Sequence, residues 1–206
     1  MGGLLFIARM TRPEISVHVN LLGRRTKDHT TQHWKTALQV LQYLHSTRTD
    51  GLRLRKPEGT ELASHIYADA SYGGEGARSQ TGVMITLGNQ LVGWYSRRQD
   101  VVALSIPEAG YIAGCEGAKD ASWPVQFLEE LGIVSQPNLH TDSEGAYNLS
   151  KQPKVARRSR HIENRFHYLR QQVRAEKLTI RTIPGKNNPV DTLTKLLPMS
   201  SVNGWK

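Results

Sequence analysis

Ile66-Tyr67-Ala68-Asp69-Ala70-Ser71 is the stretch around which the rest of the chain is organised. It is apolar up to its fourth residue and then presents the carboxylate of Asp69. Two later stretches are predicted to bring their carboxylates beside Asp69, Ser105-Ile106-Pro107-Glu108-Ala109 and Leu139-His140-Thr141-Asp142-Ser143. A fourth, Asn188-Pro189-Val190-Asp191, completes the set. The sequence therefore predicts four acids, each placed where a strand ends or a helix begins.

Length and composition limit what kind of protein this is. With 206 residues, 38% of them hydrophobic and 22% charged, the chain is large enough for one to two globular domains. No apolar run approaches the length of a membrane span, and the apolar start is too short for a signal peptide. We therefore expect an intracellular protein. Cys115 has no second cysteine to pair with, which favours a reducing compartment and a role as a small core residue.

The charge balance favours a polyanionic partner. The formal net charge is +9 and the pI about 9.8. The positive charges cluster between residues 154 and 174, where seven basic residues stand against the single acid Glu163. The seven are Lys154, Arg157, Arg158, Arg160, Arg165, Arg170 and Arg174. This run is either the solvated face of a helix or a surface that binds nucleic-acid phosphates, and the basic balance of the chain favours the second.

Residues 1 to about 57 are predicted to be a small helical segment. Its clearest helix runs from His33 to His45, with Trp34, Leu38, Leu41 and Leu44 close to one face. The segment is too small to form much core alone. It therefore either docks on the remainder of the chain or is the end of a larger unit. The stretch 55–59 is the predicted boundary.

The remainder of the chain predicts an α/β domain with a five-stranded mixed sheet. Three strands joined by short connections form an antiparallel meander, and two more alternate with helices. The first and fourth strands would be central neighbours, so that Asp69 and Asp142 emerge side by side and a helix presents Glu108 from its first turn. The predicted strands are 62–70, 81–87, 91–97, 137–141 and 178–183. The predicted helices are 107–122, 123–131, 143–150, one that begins at 159, and 189–196.

Four carboxylates gathered at one place repel each other unless cations neutralise them. Oxygen ligands of this kind suit Mg²⁺ or Mn²⁺. Two such ions about 3.5–4 Å apart can activate a water and stabilise the leaving oxygen of a phosphodiester. Taken singly, each acid also has a structural explanation. Glu108 lies at a capping-box spacing from Ser105, and Asp191 could stabilise a helix N-terminus.

Further motifs bear a resemblance to one family. They are Ala68-Asp69-Ala70, Ser79-Gln80-Thr81-Gly82, Leu91 to Gln99, Val102-Ala103-Leu104-Ser105, Pro107-Glu108-Ala109 with Tyr111, Thr141-Asp142, Ser159 to Glu163 with Arg165, His167 and Arg170, and Val190 to Lys195. In this order they resemble the ribonuclease H domain of Ty1/copia-type LTR retrotransposon Pol polyproteins. Thr11 to Ile15 and His33-Trp34-Lys35 resemble the C-terminal end of the adjoining reverse transcriptase.

The resemblance implies an RNase H-like fold that cleaves the RNA strand of RNA–DNA hybrids with two Mg²⁺ ions, for which Mn²⁺ can substitute. It makes Asp69, Glu108, Asp142 and Asp191 the catalytic, metal-binding acids. The expected contacts to nucleic acid are Lys154, Arg157, Arg158, Arg160, His161 and Arg165. The family usually carries a second acid two residues after the catalytic glutamate, where this chain has Gly110.

The resemblance also implies an organisation and a setting. Residues 1–57 would be the end of reverse transcriptase, 58–198 the RNase H domain and 199–206 a tail. The partners would be a hybrid and the upstream reverse transcriptase, inside a cytoplasmic virus-like particle, with no cofactor other than the metal ions.

Two alternatives stay open at this point. One is an integrase-type phosphotransferase on the same fold, which would carry its glutamate on a late helix, whereas Glu108 precedes Asp142. The other is a catalytically impaired module that only binds hybrid nucleic acid.

Overall fold

The computed structural model describes residues 1–55, 62–73, 78–151 and 167–196. Within them, none of the helices is long and apolar enough to cross a membrane. The helices and strands are α1 (Gly2–Met10), α2 (Ser16–Arg24), α3 (Thr31–Ser46), β1 (Ser64–Ser71), β2 (Gln80–Leu87), β3 (Gln90–Arg98), α4 (Ile106–Asp120), α5 (Ser122–Glu130), β4 (Asn138–Thr141), α6 (Glu144–Lys151), α7 (Tyr168–Arg174), β5 (Thr179–Thr182) and α8 (Asp191–Thr194). Short 3₁₀ turns span Pro13–Ile15 and Gly185–Asn187.

The five strands form one sheet in the order β3-β2-β1-β4-β5. β1, β2 and β3 pair antiparallel, whereas β4 runs parallel to both β1 and β5. The predicted α/β architecture with a five-stranded mixed sheet is thereby confirmed. The first and fourth strands are neighbours at the centre of the sheet, as the order of the elements predicts.

Helix α4 covers one face of this sheet at close range. Ile66 and Leu139 are fully buried beneath it, together with Cys115. The approach depends on two glycines, because a Cβ on Gly117 would lie 3.0 Å from Ile66 Cγ2 and one on Gly114 would lie 3.2 Å from Leu139 Cδ2. The small residues of this helix therefore allow it to approach the sheet closely, and Cys115 is buried in the core, as the sequence predicts.

The opposite face of the sheet receives α8. Val190, which precedes the helix, and Leu193 within it are fully buried and pack against Met84. They contact β2 at Gly82, where a Cβ would lie 2.7 Å from Val190 Cγ1 and 2.9 Å from Leu193 Cβ. Gly82 lies directly opposite Asp69 in the strand register. Gly82, whose missing side chain leaves room for α8, is therefore next to Asp69, the first of the four acids.

The N-terminal helices form a small core that docks on the sheet. Its buried members are Ala8, Ile15, Val19, Leu22 and Val40. Arg12 forms a buried ion pair with Glu14 at 2.5 Å and also donates to Thr47 at the end of α3. On the sheet, the Trp94 indole donates to the carbonyl oxygen of Ala8 at 2.7 Å. The boundary predicted near residue 57 lies within 56–61, outside the described residues.

The face predicted for α3 is wrong. Trp34, Leu38 and Leu41 are 60%, 41% and 49% exposed, whereas Val40 is fully buried. Of the four residues predicted to share a face, only Leu44 packs against the helical core. The helix has apolar side chains on two sides, and the positions of α1 and α2 decide which side is covered. The pattern within one helix does not contain that information.

The break between α4 and α5 is confirmed, and Trp123 at the start of α5 does not join the core. Gly132, with φ of +76°, follows α5 in the left-handed conformation expected of a helix-terminating glycine. Trp123 is 72% exposed and stacks on Phe127, with ring centroids 5.9 Å apart. The helix instead buries Pro124 and Leu128.

The last helix is shorter than predicted. It begins at Asp191, so Asp191 is its first residue and not its third. Asn188 does not cap it, because its side-chain oxygen accepts from the backbone N–H of Val190 at 3.3 Å, before the helix begins. Asn188 therefore shapes the turn that leads into α8.

A methyl group at Gly82 should displace α8. We expect Gly82→Ala to lower stability by about 1–3 kcal/mol, because the added Cβ overlaps three side chains of one short helix and the residue before it. Gly93→Ala is the matched control on β3, where an added Cβ has its nearest neighbour at 3.7 Å. Urea unfolding of both variants measures the difference. Equal stabilities would show that α8 does not depend on this contact.

Candidate active site

Asp69 and Asp142 are placed together by the parallel pairing of β1 and β4. Tyr67 lies opposite His140 in the register, and their rings stack with centroids 4.8 Å apart. Asp69 and Asp142 each follow two residues later, and alternate side chains of a strand share a face. Both carboxylates therefore emerge from the α8 face of the sheet, where β4 ends at Thr141.

Asp191 brings a third carboxylate from α8. Thr194, one turn later, donates its hydroxyl to Asp69 Oδ2 at 2.7 Å. Thr194 itself is buried. The side chain of Asp191 is half-buried, and among the described residues its Oδ1 atom has no hydrogen-bond partner. A buried carboxylate oxygen without a partner is costly, so this atom is suited to accept a ligand.

Lys195 supplies a cation to the same group. Its Nζ lies 2.8 Å from Asp191 Oδ2, an i,i+4 ion pair. This hydrogen bond raises the pKa of Lys195, and the negative charges of Asp191, Asp69 and Asp142 raise it further. The ammonium group is therefore the local counter-charge of the three aspartates.

The aspartates also influence one another. Burial raises the pKa of Asp69 above its usual range, and the charges of Asp142 and Asp191 act in the same direction. The hydrogen bond from Thr194 opposes this rise but does not cancel it. The Asp69 carboxylate is thus held in a position where its ionised form is costly unless a positive charge is near.

Glu108 lies in the first turn of α4, as predicted, but its carboxylate is engaged there. The N-cap residue Ser105 accepts from the backbone N–H of Glu108 at 3.3 Å. Glu108 Oε2 in turn accepts from the backbone N–H of Leu104 at 3.0 Å. The capping arrangement predicted from the spacing is present, with the return bond made one residue earlier than the N-cap.

Close backbone packing fixes the start of α4 against the segment after Asp142. A Cβ on Gly145 would lie 2.6 Å from Pro107, and one on Gly110 would lie 3.2 Å from Ser143 Cβ. An acidic side chain at position 110 would therefore have to displace Ser143. The absence of the family's usual second acid at this position matches the packing here.

The carboxylate oxygens of the three aspartates are the kind of ligand atom that a hard divalent cation prefers. Asp69, Asp142 and Asp191 offer only oxygen atoms, one of them buried without a partner among the described residues. Across residues 1–55, 62–73, 78–151 and 167–196, however, no three His, Cys, Asp or Glu side chains converge closely enough to hold one metal ion. In the arrangement described, the Lys195 ammonium lies 2.8 Å from Asp191 Oδ2 and offsets part of the negative charge.

The predicted nucleic-acid contacts lie outside the described residues. These are Lys154, Arg157, Arg158, Arg160, His161 and Arg165, all within 152–166. Of the two other basic residues in the run, Arg170 is buried and donates to the carbonyl oxygen of Leu149 at 3.1 and 3.3 Å. It therefore ties α7 to α6 instead of lying on a basic surface.

Thr194 and Lys195 contact the acids, yet neither was among the predicted site residues. They lie three and four residues after Asp191, the spacing that places side chains on one side of a helix. That spacing could have identified them.

Gln99 is another residue near the site that was not predicted. Its buried amide group donates to Thr81 Oγ1 at 3.0 Å and to the carbonyl oxygen of Ala109 at 2.9 Å. It ties the start of α4 to β2, a contact between distant parts of the chain that no local pattern shows.

Comparison with known sequences identifies relatives over the whole length of the chain. A retrovirus-related Pol polyprotein from transposon TNT 1-94 of Nicotiana tabacum is 34% identical over 201 residues, 96% of this chain and 15% of the relative. One from transposon RE2 of Arabidopsis thaliana is 33% identical over 206 residues, 98% of this chain and 14% of the relative. The transposon Ty1-JR1 Gag-Pol polyprotein of Saccharomyces cerevisiae is 25% identical over 216 residues, 100% of this chain and 12% of the relative.

The chain thus spans about one seventh of the length of these relatives. Among solved structures, LC11-RNase H1 isolated from compost aligns with a TM-score of 0.47 and 17% identity, over 64% of this chain and 92% of that one. No protein-family profile matches the chain.

Removal of the Lys195 ammonium should make the aspartates depend on added cations. Without divalent metal, we expect Lys195→Met to lower the melting temperature by about 2 °C, because a half-exposed ion pair contributes little stability. We also expect Mg²⁺ to raise the melting temperature of this variant more than that of the wild type. Lys35→Met, on the exposed side of α3, is the control. Differential scanning calorimetry with and without Mg²⁺ measures both quantities. An unchanged Mg²⁺ effect would mean that Lys195 does not compensate the acids.

Proposed function

We propose that this chain, which belongs with the Pol polyproteins of Ty1/copia-type retrotransposons, hydrolyses the RNA strand of RNA–DNA hybrids. The proposed role is the removal of RNA during reverse transcription of the element. The reverse transcriptase of the same polyprotein is the proposed partner. The virus-like particle in the cytoplasm is the proposed setting.

The observation that carries this proposal is that three aspartates from distant elements lie close enough for the charges of Asp142 and Asp191 to act on Asp69. Asp69 and Asp142 come from the two central strands, and Asp191 comes from α8. Their carboxylates lie near enough to raise the pKa of Asp69. If these acids only capped helices or turns, their functions would not require carboxylates from three elements distant in sequence to lie near one another.

The aspartates would hold Mg²⁺ or Mn²⁺ ions, with Glu108 as a fourth, positioned acid. Divalent cations at such a site supply an activated water and stabilise the oxygen that leaves when a phosphodiester is cleaved. The protein's part is to present the acids. Thr194 fixes Asp69 by its hydrogen bond. For Glu108 to reach the site, its Oε2 would have to exchange the Leu104 amide for a cation.

The basic segment is proposed to hold the hybrid. Lys154, Arg157, Arg158, Arg160, His161 and Arg165 follow α6, which begins two residues after Asp142. Their charge suits contacts to backbone phosphates, which position a nucleic acid without reading its sequence.

Loss of one charge from the site should remove the activity. We expect wild-type protein with Mg²⁺ to cleave the RNA of a labelled hybrid and leave 3′-hydroxyl and 5′-phosphate ends. Asp142→Asn keeps the shape of the side chain and should slow cleavage by at least about 100-fold, because the cation site loses a ligand charge. Single-turnover cleavage assays measure the rate.

The control for this variant is Asp100→Asn, an exposed aspartate in the turn after β3. It should cleave like wild type. Wild-type rates in Asp142→Asn would show that the site is misassigned. Hybrid binding by the wild type with no cleavage in Mg²⁺ or Mn²⁺ would instead favour a non-catalytic binding module.

Salt dependence tests the basic segment. Replacement of Lys154, Arg157, Arg158 and Arg160 by alanine should flatten the plot of log affinity against log salt, by about 0.7–0.9 for each phosphate that is no longer neutralised. Fluorescence anisotropy of a labelled hybrid across a salt series gives the slope. An unchanged slope would exclude these four residues as phosphate-binding groups.

A further inference from the structure

Helix α8 carries Asp191 and Thr194 but contains only four residues. A helix of this length is not stable by itself, because helix nucleation costs more than a single turn returns. Its position must come from the elements that it packs against. One neighbour is Gly82 on β2, and another is the N-terminal unit, whose 3₁₀ turn at Pro13–Ile15 and helix α2 both pack against α8.

A line of hydrogen bonds joins α2 to α8. At the end of α2, Arg24 donates to Gln80 Oε1. Gln80 Nε2 donates to Ser96 Oγ at 2.7 Å, and Ser96 Oγ donates to the carbonyl oxygen of Leu193 at 2.5 Å. Gln80 and Ser96 are both buried. The line therefore runs through the interior, from the N-terminal unit to the residue that precedes Thr194.

The last hydrogen bond of this line, from Ser96 to Leu193, supplies a partner for a carbonyl group at the C-terminal end of α8. The final carbonyl groups of a helix have no partner within it, and in a four-residue helix they are a large share of the backbone. The Ser96 hydroxyl occupies the Leu193 carbonyl oxygen. Its own acceptor site is filled by Gln80, which fixes the direction of the hydroxyl proton toward Leu193. Gln80 in turn is held from the other side by Arg24.

Arg24 is placed at some electrostatic cost. Burial lowers the pKa of its guanidinium, and the nearby charge of Arg98 lowers it further. Two contacts offset that cost, a hydrogen bond to Asn20 Oδ1 at 2.7 Å and the one to Gln80. Asn20 Oδ1 also accepts from Gln80 Nε2 at 3.3 Å. The end of α2 is thus arranged around the Gln80 amide.

We propose that α2 is part of the active-site support and that Arg24, through Gln80 and Ser96, is a positioning residue for α8. The N-terminal helices then act on the aspartates without contacting the substrate. Loss of the Arg24 guanidinium frees the Gln80 amide, loosens the Ser96 hydroxyl and lets α8 open more often. Thr194 and Asp191 move with it. The catalytic consequence of this proposal rests on the proposed hydrolysis, whereas the structural consequence does not.

The first experiment needs no activity. Hydrogen exchange of the amides of residues 193–195 is followed by NMR in the full chain without metal. We expect Arg24→Met, which keeps the aliphatic stem, to speed their exchange about tenfold, the value expected for one broken charge-assisted hydrogen bond. Arg25→Met is the matched control, because the adjacent Arg25 forms an ion pair with Asp28 at 3.0 Å. It should leave these amides unchanged.

A double-mutant cycle tests whether the effect passes through the line. Ser96→Ala removes the bond to Leu193 directly and should speed the same amides at least as much. Since both changes break one line, Arg24→Met combined with Ser96→Ala should be no worse than Ser96→Ala alone. Arg24→Lys, which can still donate to Gln80, should recover most of the protection. Additive effects of the two changes would overturn the proposal.

Kinetics separate positioning from substrate binding. On a labelled hybrid, Arg24→Met should lower kcat several-fold and leave KM and its salt dependence unchanged. A raised KM with unaltered exchange at residues 193–195 would make Arg24 a phosphate contact and overturn the proposal. If wild type does not cleave, the proposed function fails, yet the exchange measurements still decide whether Arg24 positions α8.

Discussion

Repulsion among the carboxylates of Asp69, Asp142 and Asp191 is the constraint on which the rest of this structure depends. Neighbouring carboxylates destabilise a fold unless positive charge or hydrogen bonds oppose them. Burial raises the pKa of Asp69, and the charges of Asp142 and Asp191 raise it further. The chain opposes it locally, with the Thr194 hydroxyl on Asp69 and the Lys195 ammonium on Asp191. This arrangement, which the fold maintains at a cost, is the site to which we assign the proposed function.

The compensating groups stand on α8 and directly after it, so the site is only as well ordered as that helix. α8 has too few residues to hold its own shape and takes its position from Gly82, from Ser96 and from the N-terminal helices. This explains why a segment with no acid cluster of its own docks at this place on the sheet. The N-terminal unit and the sheet are therefore better regarded as one supporting structure than as a domain with an appendage.

Much of the fold could be predicted from the sequence because its signals are local. Turn residues and short connections determine the meander, the glycines of α4 determine its approach to the sheet, and the order of elements places Asp69 beside Asp142. The features that could not be predicted depend on distant packing. The covered side of α3, the exposure of Trp123 and the relay through Gln80 and Ser96 each depend on contacts between segments far apart in the chain. Within the site, the side-chain contacts of Glu108 and Lys195 required the structure, although the spacing of Asp191, Thr194 and Lys195 already indicated one helix face.

Direct location of a cation is the measurement that tests the central claim. Crystals of the full chain soaked in Mn²⁺ would be examined by anomalous scattering at the manganese edge. We expect a peak among the carboxylates of Asp69, Asp142 and Asp191, with the Lys195 ammonium displaced from Asp191. A well-ordered site with no anomalous peak at saturating Mn²⁺, and with the Lys195–Asp191 pair intact, would contradict this claim.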